Sequence, residues 1–245
     1  MIEELVNEIK SQLKENAPDI TEEQRVRMYK ILNSDNPNFF AYRLKMADLE
    51  KIIKNIFQEK PVSYEDGVGI FKNLVKSDNH DENLAAYFYI NGFKKEFDEN
   101  TIDLFHDALF KYCDTWSLCD SSVIRVIGPF LAKNDELAKK IIENWSNSEG
   151  MWVRRASIVI LLKVIMIKKS FNDSYLFNFV ERMLQYDEYY IQKGIGWLLK
   201  TCSKYDPELI YKYLEKHIKS LPRLILRYAS EKLPKGKRDR LLKKK

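Results

Sequence analysis

A carboxylate and three cations recur at nearly equal intervals along the second half of the chain. Asp120, Arg155, Lys193 and Arg227 lie 35, 38 and 34 residues apart, and each falls in a segment whose apolar residues have helical spacing. A period of this size is typical of stacked two-helix units, in which residues one period apart lie on the same side of the stack. The pattern predicts one surface that combines an acid with cations, which suits a polyanion carrying a positively charged modification.

The acid of this series has a tryptophan beside it. Trp116 and Asp120 lie four residues apart in the sequence TWSLCD, so a helix brings them to one face. An indole next to a carboxylate offers a flat surface and a negative charge to a cationic ring. The alternative is structural, with Trp116 in the core and Asp120 as a first-turn carboxylate that stabilises the helix N-terminus.

Two of the cations also have tryptophan neighbours. Arg155 lies three residues after Trp152, with Arg154 turned away from that face, and Lys193 lies four residues before Trp197. The planar guanidinium of Arg155 suits either the carboxylate of the preceding motif or a phosphate, and a surface ion pair over an indole is the alternative.

Two glycines follow Lys193 within the same predicted helix. Gly194 and Gly196 each cost roughly 1 kcal/mol relative to alanine in a helix interior, so they predict a close approach at this point. Either a packed helix or a nucleic-acid backbone would account for it. The glycines lack the spacing of a phosphate-binding loop.

Helical periodicity runs along almost the whole chain, and its 245 residues include only eight Gly and seven Pro. This composition disfavours a sheet with many tight turns and predicts an all-α fold. Helices are predicted over 2–15, 48–57, 64–76, 82–92, 100–112, 116–132, 135–146, 151–169, 174–186, 189–204, 207–219 and 221–233. A capping box at Thr21 to Gln24 predicts a further helix start.

The short breaks between these helices are typical of antiparallel helix pairs. We therefore expect a single helical-repeat solenoid of the HEAT-like kind over residues 1–245, with N-terminal helices in 1–60, repeats in 61–233 and a basic tail in 234–245. The second helices of the pairs, which begin near Trp116, Met151, Tyr189 and Leu221, are expected to line a concave basic groove.

The formal net charge of +5 is unevenly distributed. Residues 211–245 contain 13 Lys and Arg against 3 Asp and Glu, a local charge of +10, whereas residues 1–210 carry −5. This asymmetry predicts an acidic partner for the C-terminal part. A solvated lysine tail would not account for the two arginines that lie in an apolar-periodic helix. The residues expected to neutralise phosphates are Arg154, Lys193, Arg223, Arg227 and Lys232.

Three cysteines, Cys113, Cys119 and Cys202, do not make a disulfide framework, and we expect buried thiols rather than metal ligands. His106 with the first two of them is the alternative metal site. The N-terminus has the pattern of an amphipathic helix rather than a leader, and the longest apolar run is too short for a membrane span of roughly 20 residues. A cytoplasmic protein without metal, cofactor or membrane contact is expected.

These motifs resemble those of the DNA alkylation repair glycosylases, the AlkD-like family of HEAT-like-repeat proteins. The similarity lies in Trp116 with Asp120 in TWSLCD, Trp152 with Arg155 in WVRRA, Trp197 in YIQKGIGW, and the basic helix RLILRYASEKL. It covers about residues 64–233. Such proteins have the helical-repeat fold that the periodicity predicts.

The resemblance implies excision of N3- and N7-alkylated purines from duplex DNA by hydrolysis of the N-glycosidic bond. This reaction requires no catalytic lysine, so we expect a monofunctional glycosylase, and we expect a monomer because monomeric repeat proteins are common. The resemblance also implies that Asp120 is the catalytic carboxylate, that Trp116 and Trp197 are aromatic walls beside the lesion, and that Arg155 contacts the backbone or orients Asp120. Ser117 departs from the family, which often has an acidic residue after the first tryptophan. Asp114 would substitute for it only if the helix began later than Trp116.

The implied chemistry agrees with the residues present. Alkylation makes the purine cationic and a better leaving group, so the developing positive charge on the sugar is what remains to be stabilised, and a preorganised carboxylate does this. The alternatives are a non-catalytic helical-repeat scaffold that binds DNA or a protein, and a degenerate relative that binds DNA without excision. Asp120 among cations and indoles favours catalysis, because a passive DNA binder gains nothing from a carboxylate.

Overall fold

The computed structural model describes residues 1–243 and has an all-α fold, as the composition predicts. Within these residues there is no β-strand, and Phe40 and Asn79 form an isolated parallel bridge. The chain forms two compact units, one from Met1 to Phe130 and one that begins at Leu131. None of the described helices is long and apolar enough to span a bilayer.

The first unit contains seven α-helices and the start of an eighth. They are α1 (Ile2–Glu15), α2 (Glu22–Leu32), α3 (Met46–Glu59), α4 (Tyr64–Leu74), α5 (His80–Ile90), α6 (Glu99–Tyr112), α7 (Trp116–Ser122) and α8 (Gly128–Leu131). Asn91–Phe93 is a 3-10 turn and Val123–Ile127 is a π-helical segment. The capping box at Thr21 is confirmed, because its hydroxyl accepts from Gln24 N–H and the Gln24 amide oxygen accepts from Thr21 N–H.

Helix α5 is the central helix of this unit and packs against α1, α3, α4 and α7. Its apolar residues other than Phe88 are buried, and the ring of Tyr87 contacts those of Phe71 and Phe105 at centroid distances of 5.2 and 5.7 Å. A helix surrounded in this way holds its neighbours in fixed positions, including α7, which carries Trp116 and Asp120.

The second unit continues with α9 (Asp135–Ser146), α10 (Met151–Lys168), α11 (Asp173–Met183), α12 (Tyr189–Cys202), α13 (Pro207–Lys216), α14 (Arg223–Ala229) and α15 (Lys235–Lys243). A 3-10 turn, Ser230–Lys232, joins the last two helices. Helix α12 packs against both α10 and α14, so alternate helices lie side by side. This is the arrangement expected of stacked two-helix units.

Two segments differ from the predictions. The helix predicted over 116–132 is interrupted by the π-helical segment, which apolar spacing alone does not reveal. Residues 235–243 of the predicted basic tail form a helix, α15, which the sequence analysis does not predict. This helix is held by the fully buried Leu241, by an ion pair of Lys237 with Glu208, and by Arg240 at 3.8 Å from Glu215.

Candidate functional site

Helix α7 carries the two candidate residues of the first unit. The Thr115 hydroxyl accepts the N–H of Leu118 and caps the helix, which therefore begins at Trp116. Trp116 is half-buried, and its indole Nε1–H donates to the carbonyl of Ile31 at 2.9 Å, which fixes the plane of the ring. Asp120 follows one turn later and is only 9% exposed. A carboxylate with this little solvent interacts more strongly with nearby charge than one in water.

The π-helical segment begins three residues after Asp120. At this junction the N–H of Val123 bonds to the carbonyl oxygens of both Cys119 and Asp120. Single π-helical turns within α-helices occur frequently at functional sites. The irregular backbone thus lies within one turn of Asp120, the candidate carboxylate.

Two neighbours of the motif do not provide a second acid on α7. Because α7 begins at Trp116, Asp114 lies before the N-cap, where its carboxylate accepts the hydroxyl of Ser34 at 2.6 Å. Burial raises the pKa of Asp114. Ser117 lies on the first turn with its hydroxyl 3.2 Å from Nε2 of His80. The substitution of Asp114 for the acidic residue missing from the motif is therefore not supported.

A run of five buried polar residues at the start of α5 was missed by sequence reasoning. They are Asn79, His80, Asp81, Glu82 and Asn83. Their bonds extend to several elements. The Asp81 carboxylate accepts the N–H groups of residues 42, 43 and 44, and the Asn83 amide donates to the carbonyls of Val75 and Ser77, just after α4. The Glu82 carboxylate lies 3.2 Å from the Lys10 ammonium. In sequence the run reads as an exposed helix start with a cap and acidic first turn, so no signal identified its burial.

One member of this run, His80, connects α5 to α7. Its Nε2 lies near the Ser117 hydroxyl, and its Nδ1 lies 3.5 Å from the Thr115 hydroxyl. Burial lowers the pKa of His80 to about 4, so the imidazole is neutral at physiological pH. A neutral histidine between two hydroxyls positions the first turn of α7, and with it Trp116.

In the second unit, both arginines of the WVRRA motif are buried. Arg155 is 4% exposed, and its Nη1 donates to the carbonyl of Tyr190 at 2.5 Å. Arg154 is 7% exposed, bonds to the carbonyls of Ser148 and Glu149, forms an ion pair with Glu188, and lies 4.4 Å from the centre of the Tyr186 ring. Because its guanidinium is held by these internal partners, the predicted phosphate contact of Arg154 is not supported. Trp152 is a core residue.

Lys193 and Trp197 are both half-buried on α12. The Lys193 ammonium lies 4.7 Å from the centre of the Tyr189 ring and 5.6 Å from that of Tyr228. Burial acts to lower the pKa of Lys193, but hydrogen bonds with both tyrosines outweigh it, and the pKa is raised. Lys193 therefore keeps its charge and sits between two aromatic rings.

The close approach predicted at the two glycines of α12 is a contact between packed helices. A Cβ atom at Gly196 would lie 2.6 Å from Cβ of Tyr228 on α14, and one at Gly194 would lie 3.3 Å from Ile158 on α10. Of the two sequence-based explanations, helix packing is the one observed.

The remaining cations predicted to bind DNA lie near the C-terminus. Arg223, Arg227 and Lys232 are exposed. Arg223 donates from Nη1 to the carbonyl of Leu242 at 2.6 Å, which ties α14 to α15. The prediction that Asp120, Arg155 and Trp197 share one site joins residues of both units and stays a prediction.

The three cysteines are buried and free, and burial raises the pKa of the thiols of Cys113 and Cys202. The described residues contain no cluster of three or more His, Cys, Asp and Glu that would hold a metal ion. His106 lies instead beside Asp107, 3.7 Å from its carboxylate.

The fold and the α7 motif define an all-α protein of stacked helices with a buried carboxylate one turn after a fixed tryptophan. Comparison with known proteins gives the family: residues 9–233 match the model of the DNA alkylation repair enzyme family, to which this chain belongs. A solved structure of a predicted DNA alkylation repair enzyme from Enterococcus faecalis is 18% identical, with a TM-score of 0.74 over 88% of this chain and 97% of that one. The structural similarity shows a shared fold. No curated protein matches the chain.

Proposed function

We propose that this member of the DNA alkylation repair enzyme family is a monofunctional, monomeric DNA glycosylase that hydrolyses the N-glycosidic bond of cationic N3- and N7-alkylated purines in duplex DNA. The observation that carries the proposal is the buried carboxylate of Asp120, one turn after Trp116 on α7. In a protein that only bound DNA, a carboxylate at the contact would weaken binding, because it is repelled by the phosphates.

In the proposed reaction, the C1′–N bond breaks with its electron pair moving to the base, which becomes neutral as it leaves. A cationic base needs no general acid for this step. The sugar develops positive charge, and the Asp120 carboxylate stabilises it electrostatically. Water adds its oxygen to C1′ and releases a proton, with Asp120 orienting the attacking molecule. The low exposure of Asp120 supports this role, since preorganised charge is most effective where water is scarce.

Selection of a charged base is assigned to the aromatic rings. The Trp116 ring cannot turn freely, because its N–H is bonded to the Ile31 carbonyl. We assign the ring of Trp197 to the other side of the lesion. Each indole face would favour a cationic over a neutral base by about 0.5–2 kcal/mol, depending on desolvation. In this proposal Arg155, which is buried and bonded to the Tyr190 carbonyl, is a positioning residue that orients Asp120 rather than a phosphate contact.

Affinity for DNA would come from exposed or partly exposed cations of the second unit. Lys193, Arg227 and Lys232 are the main candidates, with Arg223 contributing the part of its guanidinium that is not bonded to Leu242. These contacts neutralise phosphates without reading sequence. Binding should therefore weaken steeply between about 50 and 200 mM salt.

The decisive experiment incubates the protein with methylated duplex DNA and measures released 7-methylguanine and 3-methyladenine. Asp120→Asn should nearly abolish release and leave DNA binding intact or stronger, because a negative charge is removed. Asp114→Asn is the matched control, since it removes a partly buried carboxylate six residues away but outside α7. Release by Asp120→Asn at the wild-type rate would exclude Asp120 from catalysis. Salt-dependent binding without any release by the wild-type protein would favour a non-catalytic DNA-binding function.

A further inference from the structure

A cavity of about 560 Å³ opens beside Trp116 within the first unit. Its polar wall includes two arginines, Arg27 from α2 and Arg43 from the loop before α3, together with Ser117. The Trp116 side chain forms part of the apolar wall with Met28 and Leu84. The cavity thus combines two guanidinium groups with a flat aromatic surface.

The two arginines are available for a ligand. Both side chains are exposed, and neither forms an ion pair with any residue between 1 and 243. The one acidic residue in the wall, Asp81, has its oxygens bonded to three backbone N–H groups. Its carboxylate is therefore already engaged, and the net charge offered to a ligand at this wall is positive.

The backbone of Arg43 is held in an unfavourable conformation. Its φ is 66°, in the left-handed region, which costs a non-glycine residue on the order of 1 kcal/mol. The Asp81 carboxylate accepts the N–H groups of Tyr42, Arg43 and Leu44 at 2.7, 3.2 and 3.0 Å and maintains this conformation. A buried charge and a strained residue are thus used to fix one exposed arginine at the cavity, which points to a binding role for Arg43.

We propose that this cavity binds one phosphodiester of the DNA strand that carries the modified base, with the phosphate contacted by Arg27 and Arg43 and its nucleoside packed against Trp116. Arginine suits this ligand because its planar fork bonds two phosphate oxygens at once. The inference rests on the proposed function in naming DNA as the ligand. It adds a contact of the first unit to the cations already assigned in the second.

The test measures binding of a short fluorescent duplex by anisotropy at several salt concentrations between about 50 and 200 mM. The double variant Arg27→Gln/Arg43→Gln should reduce the slope of log K against log salt by about 0.9, the value for one lost phosphate contact. Lys72→Gln/Lys76→Gln is the matched control, since it removes two exposed charges from the same unit, and its slope should equal that of the wild type. Thermal melting of both variants serves as the control for folding.

A second readout separates a nucleotide site from a general anion site. The NMR signal of the Trp116 indole N–H should shift on addition of a 5′-phosphorylated thymidine trinucleotide, and the shift should be lost in Arg27→Gln/Arg43→Gln. An equal shift with inorganic phosphate would overturn the nucleoside part of the proposal, and an unchanged salt slope in the double variant would overturn the whole of it. These readouts do not depend on catalysis. If the wild-type protein released no base but the double variant still had a reduced salt slope, the proposed glycosylase activity would be excluded and the phosphate site would be supported.

Discussion

Replacement of His80 by glutamine should make the protein less sensitive to mild acid. Burial lowers the pKa of His80 from 6.5 to about 4 in the folded protein. As the pH falls below 6.5, the unfolded chain takes up a proton that the folded chain does not accept. The stability associated with neutral His80 is therefore fully present above pH 6.5 and is lost progressively as the pH falls towards 4. Glutamine has no titration in this range and keeps a polar group near Ser117.

The loss of stability in acid can be calculated from the lowering of the His80 pKa. Each pKa unit corresponds to about 1.4 kcal/mol, so a lowering of this size amounts to about 3 kcal/mol when titration is complete. At pH 5 the folded protein should already have lost about 2 kcal/mol relative to pH 7 through His80. This is a large fraction of the stability of an ordinary domain.

The assay is urea unfolding of the wild type and His80→Gln at pH 7 and at pH 5. Asp81 and Asp114, whose pKa values are raised by burial, also titrate in acid, but they do so in both proteins and cancel in the comparison. From pH 7 to pH 5, the free energy of unfolding of the wild type should fall by about 2 kcal/mol more than that of His80→Gln. A stability difference between the wild type and His80→Gln that is the same at both pH values would contradict the lowered pKa of His80.

Two further predictions concern packing in the second unit. Gly196→Ala should destabilise the protein by about 1–3 kcal/mol in thermal melting, because the added Cβ would lie 2.6 Å from Cβ of Tyr228. This clash outweighs the better helix propensity of alanine. The control is Gly236→Ala, whose Cβ would have no neighbouring atom within 4 Å and which should be neutral or stabilising. Arg154→Gln should lower the free energy of unfolding by about 2 kcal/mol, since it leaves Glu188 and two carbonyls without their partner, and should leave the salt dependence of DNA binding unchanged. A reduced salt slope would restore Arg154 as a phosphate contact.

Helices with strong local signals were predictable from the sequence. The helix predicted over 135–146 is found as Asp135–Ser146, because the Asn134 cap, the acidic first turn and the apolar spacing all lie within the segment itself. The basic C-terminus is predicted as a tail, since its only large apolar residues are two adjacent leucines. The helix buries Leu241 and forms ion pairs with Glu208 and Glu215, which lie outside the segment, so composition alone could not indicate it.

The candidate site was predictable only in part, for the same reason. The spacing of Trp116 and Asp120 put both on one helix, and the structure has that helix beginning at Trp116. The sequence could not show which of the two adjacent arginines in WVRRA would be bonded to Glu188, because Glu188 lies 34 residues after Arg154. Nor could it show that Asp81 would hold residues 42–44, almost 40 residues earlier in the chain. Burial of a polar residue is decided by distant partners, which a single sequence does not specify.

The distribution of these buried polar groups bears on how the proposed chemistry would be supported. Burying five polar residues in succession is costly unless they are bonded. The bonds of Asp81 and Glu82 include partners in the loop that carries Arg43, and those of His80 reach Thr115 and Ser117 at the start of α7. That turn is held three times: by the Thr115 cap, by His80 and by the bond from Trp116 to Ile31. In a protein that served only as a scaffold, apolar packing would be enough to stabilise the first turn of α7. A carboxylate that stabilises charge in a transition state requires a fixed position instead, because reorientation during the reaction would cost the energy that it is meant to supply. In the proposed function, the polar bonds around the first turn of α7 hold the helix that carries Asp120.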